Sequence, residues 1–239
     1  RMRKVLATMT RNRFMGVMSG LLITSVIQSS SATTVMVVSF VNAGLLTLCE
    51  AISVIMGANI GTTVTAWLVS LVGFKFSISD IAVPAIGLAI PLLFSKRDER
   101  KSFGELLVGF ALLFIGLDFL KNSVPDINSN PAMLEFLKQY NGSDFGSILL
   151  FVLIGTVLTI IMQSSSATMA ITLVIMNNGW ISLDVAAAMV LGENIGTTIT
   201  ANLAAIPANT TAKRAALSHT LFNVFGVTWV LIFFHPLVL

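Results

Sequence analysis

The chain has 239 residues, 55% of them hydrophobic and 10% charged, with a formal net charge of +3. A mean hydropathy of +0.90 and the charge-free windows Phe14–Cys49, Ala51–Phe74 and Ile148–Leu183 exclude an ordinary soluble domain, because about 20 apolar residues already cross a bilayer. The basic balance does not indicate nucleic acid: the Lys and Arg residues gather in short loops between apolar segments, where they set topology.

Arg1 rather than Met opens the chain, and its basic start lacks the small-residue cleavage pattern of a signal peptide, so a fragment of a longer protein is expected. Seven hydrophobic segments follow, at about Phe14–Val41, Leu45–Gly73, Ile78–Ser95, Phe103–Leu120, Ile148–Met176, Ile181–Ile206 and Ala215–Phe234. Arg1, Arg3, Lys4, Arg11 and Arg13 before the first segment, the loop Lys96–Lys101, and Lys213 with Arg214 mark cytoplasmic positions. The slightly acidic stretch Asn122–Gly146 is placed outside. Three segments then lead from inside to inside and two from outside to inside, so one segment in each half must dip in and return. The first half starts inside and the second outside, which predicts two repeats of inverted topology in an all-α membrane protein: residues 14–95, a connecting helix and external loop over 96–146, and residues 147–239.

Two polar cassettes interrupt the apolar sequence, and both recur 135 residues later. Gln28-Ser29-Ser30-Ser31-Ala32-Thr33 returns as Gln163-Ser164-Ser165-Ser166-Ala167-Thr168, and Gly57-Ala58-Asn59-Ile60-Gly61-Thr62-Thr63 returns as Gly192-Glu193-Asn194-Ile195-Gly196-Thr197-Thr198. Between Gln28–Leu68 and Gln163–Leu203, 19 of 41 ungapped positions are identical. The segments carrying Gln28 and Gln163 are expected to be the hairpins, with polar turns near mid-membrane facing protein or water. The alternative breaks the Asn59 and Asn194 segments instead.

A Gln followed by three Ser offers carbonyl oxygen, amide donors, hydroxyls and the free N–H groups of a following helix N-terminus, which suits an oxyanion. The Asn-Ile-Gly-Thr-Thr cassette is rich in neutral oxygens, the ligand type of a hard cation. Neither Lys nor Arg occurs from Phe14 to Phe74 or from Ser147 to Ala212. A multivalent anion held there has no fixed protein cation to neutralise it, and an unpaired buried charge costs several kcal/mol or more. Mobile cations must therefore accompany an anionic substrate. Ser and Thr also serve helix packing in membranes, but Gln and Asn at matched positions in two copies argue for a site. Glu193 stands where the first half has Ala58; a cation ligand, a proton site and an asymmetric structural residue are all open. His219 reads as helix packing before proton relay, Trp67, Trp180 and Trp229 as interfacial anchors, and Glu50 and Asp184 as solvated. Cys49 is the single cysteine, and His219 and His235 without a neighbouring Cys form no transition-metal constellation. No nucleophile–base motif is present, so no enzyme is expected.

The paired Gln-Ser-Ser-Ser motifs, each followed by Gly-x-Asn-Ile-Gly-Thr-Thr, resemble the type II sodium-dependent phosphate cotransporters of bacterial type. The resemblance implies secondary active uptake of inorganic phosphate with sodium as co-substrate, by alternating access at a cavity formed by the two Gln-Ser-Ser-Ser motifs, with no other cofactor, in a multi-pass protein of the bacterial plasma (inner) membrane. It implies phosphate binding by Gln28, Ser29, Ser30, Ser31, Gln163, Ser164, Ser165 and Ser166. It implies sodium binding by Thr33, Asn59, Thr62, Thr63, Thr168, Glu193, Asn194, Thr197 and Thr198. Expected partners are phosphate, sodium and the lipid bilayer, without nucleic acid; a homo-oligomer is allowed but not required. The alternative is a passive channel using the same motifs as its filter. Electrogenic animal relatives carry His-Asp before Phe-Asn in the first half, whereas here His-x-x-Phe-Asn occurs only at His219–Asn223, so a sodium stoichiometry is not implied.

Overall fold

The computed structural model describes Leu6, residues 9–73 and 79–123, Glu135, and residues 144–238. Every regular element among them is helical: α1 (Arg13–Ile27), α2 (Ser30–Asn42), α3 (Leu48–Leu68, continued by a wider π-type turn over Val69–Gly73), α4 (Ser79–Leu93), α5 (Asp98–Ser123), α6 (Phe145–Met162), α7 (Ser165–Asn177), α8 (Leu183–Gly196), α9 (Thr198–Ala205), α10 (Thr210–Ile232) and α11 (Phe234–Val238). Four stretches are long and apolar enough to cross a membrane, Leu48–Leu71, Asp98–Ser123, Phe145–Met162 and Thr210–Ile232. Most of the acidic stretch assigned to the outside lies outside the described residues.

The segment Phe14–Val41 is two short helices, α1 and α2, with the break at Gln28. Gln28 closes α1 in the left-handed region (φ 57°, ψ 27°), and extended Ser29 caps α2 by accepting from the Ala32 N–H. One turn to either side, the Thr24 hydroxyl reaches Thr33 Oγ1 at 3.0 Å. In a straight helix those residues would stand about 13 Å apart, so the chain folds back on itself at the polar motif. The second half repeats the device. Gln163 closes α6 at φ 51° and ψ 25°, and Ser164 caps α7 through the Ala167 N–H. The expected break at both glutamines is present.

The duplication extends to packing. A Cβ on Gly57 of α3 would overlap the Val17 carbonyl oxygen of α1, and one on Gly192 of α8 would overlap the equivalent carbonyl of Val152 in α6. Backbone-to-backbone contact of this kind lets helices pack without large side chains between them. Each half is therefore a helical hairpin with its first arm pressed onto the cassette helix. The cassette helices then differ: α3 runs unbroken through Asn59–Thr63, whereas α8 ends at Gly196 and Thr197 joins it to α9.

The halves interlock. Val37, Val38 and Val41 of α2 and Val54 and Ile55 of α3 share one buried core with Ala201 and Ala205 of α9 and Ala212, Ala215 and Ala216 of α10. Correspondingly, α7 packs on α3. The second arm of the first hairpin thus meets α9, the continuation of the second half's cassette helix, and the second arm of the other hairpin meets α3. Glu50, expected to be solvated, closes a capping box with Thr47 at the start of α3 and also accepts from the Thr10 hydroxyl at 3.1 Å.

Candidate functional site

The interlocking halves bring the two cassettes to one cavity of about 360 Å³. Asn59, Thr62 and Thr63 of α3 line it from one side and Asn194 of α8 from the other; Ser70 and the exposed Trp67 belong to the same wall. The threonine hydroxyls are oriented by their own helix, Thr62 donating to the Ala58 carbonyl at 3.2 Å and Thr63 to the Ile60 carbonyl at 2.7 Å. A hydroxyl that donates to backbone keeps its oxygen lone pairs for another ligand. The amide of Asn194 likewise donates to the Val190 carbonyl at 3.2 Å. Oxygen acceptors thus gather at a helix wall that carries no fixed cation.

The remaining cassette threonines lie elsewhere. Thr33 and Thr168 are buried beneath the hairpin turns and donate to the Ser29 and Ser164 carbonyls, each at 3.0 Å. Thr197 and Thr198 are buried at the α8–α9 junction, bonded to the Glu193 and Ile195 carbonyls. Glu193 is 1% exposed; its Oε1 accepts from the Thr172 hydroxyl at 2.8 Å, and its Oε2 has no hydrogen-bond partner among the described residues. The first-half equivalents of this pair are Val37 and Ala58. The carboxylate and its donor therefore occur together in one half only.

The two glutamines are also treated unequally. Gln28 is held at both ends of its amide: Nε2 donates to the Ser25 carbonyl at 2.6 Å, and Oε1 accepts from the Thr65 hydroxyl at 2.8 Å. Thr65 faces a second cavity, of about 300 Å³, whose wall includes Ser166 of the other motif. Gln163 is exposed and makes no side-chain hydrogen bond among the described residues. Its equivalent of Thr65 is Thr200, which donates to the Thr197 carbonyl instead. Thr65 is absent from the expected site, although its recurrence as Thr200 inside the 41-residue repeat was a usable signal.

The serine motifs open the second arms. Ser29 and Ser164 accept from the first helical turn, Ser30 is buried, and Ser31, Ser165 and Ser166 are half-buried. These positions place the unbonded N–H groups that begin α2 and α7 beside hydroxyls, an arrangement suited to anionic oxygen.

The profile of the Na+/Pi-cotransporter family matches residues 1–122 and 130–236. The chain belongs to this family. It is 35% identical over 211 residues to the uncharacterized protein YqeW of Bacillus subtilis, covering 88% of this chain and 66% of that one. It is 31% identical over 239 residues to YjbB of Salmonella typhimurium, provisionally named for inorganic phosphate export, covering 99% of this chain and 42% of that protein. A 60-residue stretch, 25% of the chain and 9% of the relative, is 50% identical to human sodium-dependent phosphate transport protein 2B. The chain thus spans about two thirds of YqeW and less than half of YjbB. No solved structure matches it. The family is one of transporters, and with four helices among the described residues long and apolar enough to span, the chain is a multi-pass membrane protein.

Proposed function

We propose that this chain forms the transport unit of a secondary active carrier that couples sodium influx to the uptake of inorganic phosphate across the bacterial inner membrane. The observation that carries the reading is the cavity shared by Asn59 and Asn194, equivalent residues of the two halves, in a family of phosphate transporters. Its walls supply neutral oxygens and no Lys or Arg. In this reading Asn59, Thr62, Thr63 and Asn194 bind sodium in the cavity, with Thr33 and Thr168 beneath the hairpin turns and Glu193, Thr197 and Thr198 near the α8–α9 junction completing further cation sites. Gln28, Ser29, Ser30, Ser31 and their copies Gln163, Ser164, Ser165 and Ser166 take the phosphate oxygens. A dianion surrounded by hydroxyls and helix termini gains only about half a charge per terminus; bound sodium supplies the rest.

Alternating access follows from two repeats of opposite orientation rocking against each other around the shared cavity. The held Gln28 and the free Gln163 give the two hairpins different states in one conformation, which supports this movement. Proteoliposome uptake of labelled phosphate tests the whole reading. An inward sodium gradient is expected to accumulate phosphate above equilibrium, and choline in its place is expected to abolish accumulation. Flux that only equalises phosphate would mark a passive channel, and net efflux under the same gradient would reverse the assigned direction.

A further inference from the structure

Asn59 does not meet the cavity with a freely turning amide. His219 Nε2 stands 3.1 Å from its Oδ1, and its Nδ2 donates to Asn223 Oδ1 at 3.4 Å. Asn223 Nδ2 in turn donates to the His219 carbonyl at 2.9 Å. The bonds form a closed cycle with one consistent polarity. The backbone carbonyl can only accept, so Asn223 presents its NH₂ there and its oxygen to Asn59. Asn59 must then present its own oxygen to the ring, and Nε2 must carry the proton.

The cycle crosses the molecule: Asn59 lies on α3 of the first half, whereas His219 and Asn223 lie one turn apart on α10 of the second. His219 is completely buried, and its Nδ1 has no hydrogen-bond partner among the described residues. An apolar side chain would fill the same volume without leaving a polar atom unmet, so packing alone does not account for an imidazole here. Its polar role falls on Nε2.

We propose that His219 is a positioning residue for the cavity: it fixes which end of the Asn59 amide can serve a cation, and it ties that choice to α10 of the other half. Rotating the amide by half a turn would exchange an oxygen for an NH₂ group, replacing an attractive dipole by a repulsive one. The inference rests on the reading of the Asn59 cavity as a sodium site.

The test compares His219→Gln, His219→Leu and His219→Asn in proteoliposomes of the full-length protein. Gln places its NH₂ near the position of Nε2, whereas Asn places its NH₂ near that of Nδ1 and falls short of Asn59. Half-saturating sodium is expected to rise about tenfold in His219→Leu and His219→Asn, equivalent to about 1.4 kcal/mol. His219→Gln is expected to stay within about threefold of the parent, and half-saturating phosphate at saturating sodium should change by less than about threefold throughout. A purely structural role would lower the maximal rate or the yield of monodisperse protein and leave half-saturating sodium unmoved, and that result overturns the inference. Equal impairment by Gln and Asn also overturns it. If His219→Leu does not fold, the Gln–Asn comparison decides alone. A parent protein whose uptake ignores sodium would instead overturn the underlying cation-site reading, before any variant is compared.

Discussion

Gln28 and Gln163 share a backbone conformation that glutamine rarely adopts. Both sit at positive φ between a closing and an opening helix, and they are the non-glycine residues with positive φ among the described positions. Such a conformation costs on the order of 1 kcal/mol, and glycine would relieve it while keeping the turn. The side chain is therefore not there for the turn. Replacing Gln163 by Gly is expected to leave melting temperature unchanged or raised by a few degrees. Replacing Gln28, which loses two side-chain hydrogen bonds, is expected to leave it unchanged or slightly lowered. Either change is expected to cut sodium-driven phosphate uptake at least tenfold. Thermal melting in detergent and uptake in proteoliposomes, measured on the same preparations, separate the two contributions. Normal uptake by both variants would mean that the amides do not belong to the site. Strongly lowered melting temperatures would mean that the side chains support the fold, as the two hydrogen bonds of Gln28 allow but the exposure of Gln163 does not.

At the scale of elements, the polar breaks were legible because Gln-Ser-Ser-Ser stops an apolar run near its middle, where Ser29 and Ser164 are natural helix caps. The cassettes were less legible. Asn-Ile-Gly-Thr-Thr is identical in both copies, yet α3 passes through it and α8 ends inside it, so the difference comes from what surrounds each copy. Beyond it, α9 packs against α2 and α10. The bond from His219 to Asn59 spans 160 residues and leaves no local trace in the sequence. Hydrophobic periodicity also says little when lipid and protein interior are both apolar. Glycines in the cassettes were readable as permitting close approach, but not what they approach. Gly57 sits against the Val17 carbonyl of the hairpin arm, and the added methyl group of Gly57→Ala has no flexible side chain to displace. That variant is expected to force α1 and α3 apart at a cost of about 1–3 kcal/mol. Gly109, with open space around its α position, is the control: Gly109→Ala is expected to melt at or above the parent temperature. Equal melting of Gly57→Ala and the parent would contradict the packing described for both halves.

Across the whole molecule, the packing of α7 on α3 and of α2 on α9, the continuation of the other cassette helix, fits a two-fold relation, but packing alone does not set the direction of the axis. Charge does. Arg11 precedes α1 and Arg13 begins it, the basic cluster Lys96–Lys101 spans the turn after α4 and the first turn of α5, and Lys213 with Arg214 lies in the first turn of α10. If all three face the cytoplasm, each half contains one hairpin that returns to the side it entered from, and the halves are inverted. The short lengths of α1 and α2, 15 and 13 residues, agree with a first hairpin that does not cross as two full spans, since about 20 residues are needed. In the second hairpin α7 has 13 residues, but α6, with 18, is long enough to cross alone, so length does not decide there. The expectation is then sharp. In a Cys49→Ser background, single cysteines at Ser95 and Ser102, flanking the basic loop, should react with a membrane-impermeant maleimide only from the cytoplasmic face. Cysteines at Ser129 and Ser143, in the acidic stretch, should react only from the opposite face. The helix α5 between them is a 26-residue span with Asp98 and Glu99 in its first turn and Lys121 in its last, long enough to carry the chain across. Labelling of both groups from one face would mean that α5 does not cross. The two halves would then share one orientation, and alternating access would need a different movement from the rocking of inverted repeats.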